Sequence, residues 1–547
     1  DLHSFPTRRS SDLHIDSHLL PESEARWIKL TMPDEGHDVG IAEIHVRDLD
    51  FGASPNAFVR ALAKQARRGC YPRAYLDEQS YWTLLGVDGD SEESLLSEDG
   101  AIEARKAGYS IEPFVRSGNA LVTWADVSIS HSLADRYLPI PSVEWRHKDF
   151  ELRVTAVAVG KVGDAHTRMT YRIANPTRAA RHLTLALVVR PFQVNPPAQF
   201  LNIAGGVSPI QDLQWQQGSV RVDGVAGVFP QSPPQAFQAA AIDADSPCEW
   251  LLTNTRADSV RDETGLASGA LLYEIDLAPA EHRDVVIDLP LHATRERVAK
   301  PVATESDEEA AAAWREKLNR VELDLPADGQ VWFDTLRTSL AHVLINRDGP
   351  GLQPGSRSYE RSWIRDGAMT SEMLLRLGHA DVAKAFLLWY ADYQFANGKI
   401  PCCVDVRGAD PVPENDSGGE FLFLVNEVYR YTGDTDLLRK MWPRVVNAVA
   451  YMDKLRASER TALNQQEDRR AFYGLMPASI SHEGYSAKPM HSYWDNFWAL
   501  AGYESAVKIA RALDEKTAMR SFIAARDEFR SDLDRKSTRL NSSHPYR

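Results

Sequence analysis

Hydrophobic and polar positions change rhythm along the chain, and the changes predict its layout. From Ala25 to Leu49, ARWIKLTMPDEGHDVGIAEIHVRDL alternates apolar and polar residues around a Gly-containing turn, the pattern of paired strands with one buried face. Ala57, Val59, Leu62, Ala63 and Ala66 then recur at helical intervals before Gly69, which predicts a helical connector over residues 51–75. Over residues 76–300 the chain carries short β-branched and aromatic runs, among them FELRVTAVAVG, TRMTYRIAN and HLTLALVVRPF, punctuated by turn residues. Such runs predict an all-β sandwich whose two sheets bury their inward faces against each other. Arg153, Arg168 and Arg172 fall at outward positions of these strands and are assigned no role.

The acidic, alanine-rich SDEEAAAAWREKLNRVELDLP then predicts a linker helix within residues 301–326. Beyond it the period is helical throughout. Segments are predicted at roughly 328–345, 367–378, 380–396, 419–432, 435–456, 491–512 and 515–532. Helical pairs joined by loops of uneven length, without strands, suggest a barrel of α-hairpins.

Composition narrows the function classes. A chain of 547 residues carries an expectation of about three or four domains. No run approaches the roughly 18 to 20 apolar residues of a membrane helix, so no transmembrane segment is expected. A net charge of −15 argues against nucleic acid as a partner, because phosphate backbones are bound by clustered Lys and Arg. Neutral polymers stay open. The four cysteines, Cys70, Cys248, Cys402 and Cys403, show no metal-ligand spacing and are too few for a disulfide framework. Cys402 and Cys403 are read as wall residues of a packed loop, and neither a metal nor a cofactor is expected.

Three polar, aromatic loops precede the second, fourth and sixth predicted helices. In an up-and-down ring of helix pairs, alternate helices start at the same end, so these loops converge on one face, where binding residues concentrate. The first, Tyr359 to Gly367, reads YERSWIRDG. Its rings suit the C–H face of a pyranose, and its acids and arginines suit sugar hydroxyls. The alternative is a capped helix with Asp366 favouring the N-terminus. The second, Pro411 to Glu420, reads PVPENDSGGE and brings Glu414, Asp416 and Glu420 to the fourth helix. Asn415, Asp416 and Ser417 are equally good N-cap residues, and the Gly-Gly pair suits a backbone that approaches a ligand. The third, Tyr473 to Asn496, reads YGLMPASISHEGYSAKPMHSYWDN, with Glu483 at its middle and Trp494 near its end. A glutamate in a closed aromatic loop suits a general acid, because desolvation raises its pKa. His482 and His491 lack a complete ligand set and are read as hydrogen-bonding loop residues.

WIRDG at Trp363 to Gly367 resembles the W-x-R-D segment of six-hairpin glycosidases of the glucoamylase and amylo-α-1,6-glucosidase (glycogen debranching) type. The stretches ADVAKAFLLWYADYQFANGKIPCCVD and YRYTGDTDLLRKMWPRVVNAV are similar to the same families. The resemblance implies a multidomain β + α chain: an all-β sandwich followed by an incomplete (α/α)6 toroid, its first half at residues 327–533. It implies Arg365 and Asp366 as holders of the non-reducing sugar, with Trp363 and Tyr359 in the pocket wall. Asp416 falls where debranching-type enzymes line the pocket, and Trp494 joins the substrate-binding set. SISHEGYSAKPMHSYWDNFWAL resembles the glucoamylase-type segment bearing the general acid, which makes Glu483 the catalytic candidate; His482 stands where the family has tryptophan. The family's catalytic base comes from a later loop than any present, so the fragment as given is expected to be inactive.

Residues 14–50 resemble the tail of a discoidin (coagulation-factor C-type) domain, which favours a periplasmic or extracellular protein. FPTRRSSDL at Phe5 to Leu13 and DRKSTRLNSSH at Asp534 to His544 resemble translated sequencing adapters, so residues 1–13 and 534–547 are read as artefact. The expected function is an inverting glycoside hydrolase acting on an α-glucoside within an oligo- or polysaccharide. The alternatives are a glycoside phosphorylase on the same fold, or a non-catalytic carbohydrate-binding surface protein.

Overall fold

In the strand Glu151–Val159, Leu152, Val154 and Ala156 are buried while Glu151 and Arg153 face solvent, so a period of two builds a sheet with one dry face. The computed structural model describes residues 24, 26–30, 44–241, 248–252, 257–294, 305–481, 484 and 488–543. The chain divides into two units, Asp1–Val87 with Glu92–Ala313, and Asp88–Ser91 with Trp314–Arg547.

The first unit is built on two antiparallel sheets. One has eight strands, centred on Ser110–Ser117, Arg181–Arg190 and Ala267–Leu277. The other has nine, centred on Val225–Pro230, His282–Pro290, His166–Ala174 and Glu151–Val159. Trp145, Tyr171, Leu185, Leu187 and Ile287 belong to one core cluster, so both sheets contribute to a shared interior. The helix Pro55–Ala63 covers the other face of the eight-stranded sheet, setting Phe58, Val59 and Leu62 against Phe114, Ala186 and Val188. Burial on both faces explains why Leu183 to Arg190 shows no alternation. Arg190 is buried within this layer and paired with Glu112 at 3.0 Å.

Of the stretch 25–49 expected to form paired strands, residues 25 and 31–43 lie outside the described residues; 26–30 and 44–48 join no sheet, and Trp27, Ile28 and Val46 are exposed. Arg168 shares the outward face of its strand with Arg172, opposite the core residues Met169 and Tyr171, but that face is covered at its position. There it bonds Asp288 at 3.1 Å and Asp307 at 2.9 Å.

The linker helix runs over Asp307–Leu318, opened by a capping box between Ser306 and Glu309. Seven helices follow: α1 (Gln330–Asn346), α2 (Ile364–Arg376), α3 (Ala380–Ala391), α4 (Ser417–Thr432), α5 (Thr435–Ser458), α6 (Tyr493–Ala512) and α7 (Lys516–Ser543). The backbone of α7 continues through part of the stretch read as adapter sequence; residues 1–13 and 544–547 lie outside the described residues. Among these residues no helix is long and apolar enough to cross a membrane.

Alternate helices are neighbours: α2 packs on α4 and α4 on α6, while α3, α5 and α7 pack against them. Glycines permit the closest approach. A Cβ on Gly419 would lie 2.0 Å from the Trp498 carbonyl oxygen, and one on Gly502 would lie 2.6 Å from the Gly419 Cα. Helix α2 starts three residues earlier than its periodicity suggests, so Gly367 sits inside its first turn. The Phe386 ring of α3 fills the space where its Cβ would be.

Candidate functional site

The first turns of α2, α4 and α6 meet through one carboxylate. Arg365 lies in the first turn of α2, and its Nη1 donates to Glu414 Oε2 at 2.9 Å and to Asp416 Oδ2 at 3.3 Å. The same Asp416 oxygen accepts from Trp494 Nε1, in the first turn of α6, at 2.8 Å. Asp416 is fully buried, and its side chain does not cap α4. Neither neighbour caps the helix with its side chain: Asn415 Nδ2 donates to the Pro477 carbonyl at 2.9 Å, and Ser417 Oγ donates to the Glu414 carbonyl at 3.2 Å. The capping alternative is therefore corrected: Asn415 and Asp416 spend their side chains on tertiary contacts, and Ser417 bonds back within the loop. The glycine pair is corrected too, because Gly418 and Gly419 lie in the first turn of α4 and Gly419 meets α6 rather than open space.

Asp366 follows Arg365 in the chain, with its Oδ2 3.9 Å from Arg365 Nε and a third of its side chain exposed. Tyr359 and Trp363 stand beside each other with ring centres 6.2 Å apart, and Tyr359 is more than half exposed. The Arg361 guanidinium lies over Trp363 at 5.4 Å and is held by Asp405 at 2.9 Å and Asp410 at 3.0 Å. The segment is anchored from behind, where Ser362 and Trp363 pair with Val404 and Cys403, and the Ile364 amide donates to the Cys402 carbonyl at 3.0 Å.

Of the sequence candidates, Arg365, Asp366, Asp416 and Trp494 come together, with Trp363 and Tyr359 on the adjoining segment. Glu483 and His482 lie outside the described residues. His491 is stacked on Phe472 at 4.1 Å and sits 3.7 Å from Glu459. Around the candidate acid, the third loop is tied down at its described ends. Ser479 and Met490 form a backbone bridge, and the Ile480 amide reaches the Pro413 carbonyl at 3.1 Å.

Asp495 was not among the sequence candidates. It is fully buried beside Trp494 and accepts from Ser479 Oγ at 2.7 Å and Ser481 Oγ at 3.1 Å. The signal available was an acid in the first turn of an apolar helix with two serines upstream, which also describes many surface caps.

One guanidinium serves several buried carboxyls, and their charges conflict. Burial first, then the charge of Asp416, push Glu420 well above the usual carboxylate range. Burial raises Asp495 to about 7; its serine bonds pull it down, and Asp416 and Glu414 push it up. Glu414 is raised by burial and Asp416 against the opposing pull of Arg365. Asp366 is raised by burial, with Arg365 and its own backbone amide opposing. The result is a buried group of carboxyls with raised pKa values around one guanidinium, with the part-exposed Asp366 beside it and the rings of Trp363 and Tyr359 on the adjoining segment.

No protein-family model matches the chain, and no curated protein does. Solved structures do match. A bacterial glucoamylase complexed with acarbose is similar with a TM-score of 0.57 and 12% identity, over 83% of this chain and 68% of that chain. A family GH92 α-mannosidase from Bacteroides thetaiotaomicron is similar with a TM-score of 0.37 and 9% identity, over 85% of this chain and 64% of that one. A rhamnosidase from Klebsiella oxytoca with rhamnose bound follows at 0.28 and 12%, over 63% and 61%. The chain thus spans less than two thirds of the latter two proteins. The glucoamylase likeness shows that the chain shares that protein's β + α fold.

Proposed function

We propose that the protein is a glycoside hydrolase acting on an α-glucoside by inversion, with its sugar pocket at the starts of α2, α4 and α6. The observation that carries this reading is the junction at Asp416, which Arg365 and Trp494 both bond while Asp366 stays accessible beside them. In this reading Asp366 and Arg365 bond the hydroxyls of the terminal sugar, and Trp363 and Tyr359 cover its C–H face. Asp416 holds Arg365 and Trp494 in position. Glu483 protonates the departing glycosidic oxygen as the bond to the anomeric carbon breaks, and water activated by a second carboxylate attacks from the opposite face.

Calorimetric titration of the chain with acarbose or maltotriose tests the pocket. Binding is expected, weakened at least tenfold by Asp366→Asn, since a hydrogen bond to a charged group is worth about 1.5 to 3 kcal/mol. Equal affinity in the variant, or no affinity for any α-glucoside, rejects the assignment. In a form of the protein that turns over α-glucosides, Glu483→Gln is expected to slow poor-leaving-group substrates by about 100-fold or more. Near-normal turnover removes Glu483 from the role of acid.

A further inference from the structure

Cys402 and Cys403 lie beside the strand that carries Trp363, through the pairing of Cys403 with Trp363 and the bond of the Cys402 carbonyl to Ile364, and their thiols are not used by the proposed sugar pocket. Both are free and buried, and their Sγ atoms are 3.6 Å apart. Cys403 Sγ is 3.9 Å from Asp410 Oδ2, and one ligand atom from each of the three residues lies within 4.8 Å of the other two. Among the described residues this is the one such grouping of three Cys, His, Asp or Glu side chains.

A tetrahedral zinc ion with bonds of about 2.3 Å to sulfur and about 2.0 Å to oxygen sets two sulfurs about 3.8 Å apart, and sulfur and oxygen about 3.5 Å apart. Two edges of the cluster already have nearly those lengths. The third, from Cys402 to Asp410, closes with a small side-chain movement. Asp410 is partly exposed and gives the site an opening, whereas a pair of wall cysteines needs no carboxylate at their sulfurs. Asp410 receives Arg361 on one oxygen and the Val412 amide at 3.0 Å on the other. A carboxylate has about four acceptor positions, so both bonds leave room for an ion. Arg361 also has Asp405 as a partner, which offsets its charge beside a cation.

We propose that Cys402, Cys403 and Asp410 form a binding site for a thiophilic divalent cation of the zinc and cadmium class. The two thiols release their protons to solvent on binding, and thiolate ligands select soft or borderline ions over magnesium and calcium. The ion sits behind the backbone pairing of Cys403 with Trp363 and stiffens the strand on which that part of the pocket is hung.

Cadmium titration of the reduced full chain, followed by the sulfur-to-cadmium charge-transfer band in the ultraviolet, tests the site. One equivalent is expected to bind, with affinity lowered at least about 100-fold in Cys402→Ser and in Cys403→Ser, beyond the 10 to 100-fold typical of outer-shell partners. Asp410→Asn, at a partly exposed position, is expected to weaken binding by about tenfold, while Cys70→Ser and Cys248→Ser leave it unchanged. A one-equivalent band that survives Cys402→Ser and Cys403→Ser, or follows Cys70 and Cys248 instead, overturns the proposal. So does the lack of a band in the parent chain. The readout is independent of sugar binding, so the glycosidase reading and this one fail separately.

Discussion

Trp494 Nε1 donates to Asp416 Oδ2 at 2.8 Å, joining two helix starts 78 residues apart in the chain. The bond turns a large aromatic side chain edge-on to the acid cluster and leaves its ring beside Trp498, with centres 6.0 Å apart. Asp416 therefore works as a hub: it is buried, and Arg365 and Trp494, which both donate to it, belong to elements that frame the candidate pocket.

Replacing Trp494 by Phe keeps the ring and removes the donor. Asp416 then keeps Arg365 but loses its shorter bond, and a buried acceptor left short of a donor costs about 1 to 3 kcal/mol. Urea denaturation is expected to show a loss of that size. Retained stability within experimental error means that Asp416 finds another donor or takes up a proton.

Asp495 gives a pH signature. Its carboxyl moves from the ordinary 3.8 to about 7 in the folded chain, chiefly through burial. Between those values the folded state holds a proton that the unfolded state has released, so this group's contribution to stability falls as pH rises from about 4 to 7. Each pKa unit of displacement is worth about 1.4 kcal/mol. Carboxyls with lowered values, such as Asp405 and Asp410, slope the other way, so the test is the difference between parent and Asp495→Asn. Denaturant titrations across that range are expected to show the parent losing stability relative to the variant as pH rises. Parallel curves refute the shift.

The same carboxyl reports on its neighbour. Asp416 and Glu414 both raise Asp495, and Asp416 is the larger contributor. Asp416→Asn is therefore expected to lower the Asp495 midpoint towards the ordinary carboxylate range, as followed by carbon-13 NMR of labelled aspartate. A midpoint unmoved by the substitution places the two groups too far apart to share a site.

How much of this was legible in the sequence follows from the range of each interaction. A period of 3.6 residues located the helices, and a period of two located strands such as Glu151–Val159, because both are local patterns of burial. Over residues 25–49 the same alternation falls largely outside the described residues, and the described pieces join no sheet. The importance of YERSWIRDG and PVPENDSGGE was legible as loops rich in acid, arginine and rings. Which carboxylate Arg365 meets was not, since Glu414 and Asp416 lie 49 and 51 residues away and the pairing depends on how α2 crosses α4. Asp495 was passed over because a first-turn acid reads as a cap until its burial is known.

Gly418 and Gly419 separate two meanings that the sequence leaves together. Gly418→Ala meets the Met452 side chain at 3.2 Å, which can give way, and alanine gains up to about 1 kcal/mol of helix propensity over glycine. Gly419→Ala drives a methyl to 2.0 Å from the Trp498 carbonyl oxygen, which cannot move without shifting α6. Overpacking against side chains typically costs about 1 to 3 kcal/mol, and a backbone obstacle belongs at or above the top of that span. Thermal melts are expected to show Gly418→Ala close to the parent and Gly419→Ala strongly destabilised. Any properly folded Gly419→Ala chain is further expected to lose α-glucoside affinity, because moving α6 carries Trp494 away from Asp416. Similar melts for the two variants dismiss the close contact between α4 and α6 as the element that holds the two helix starts together.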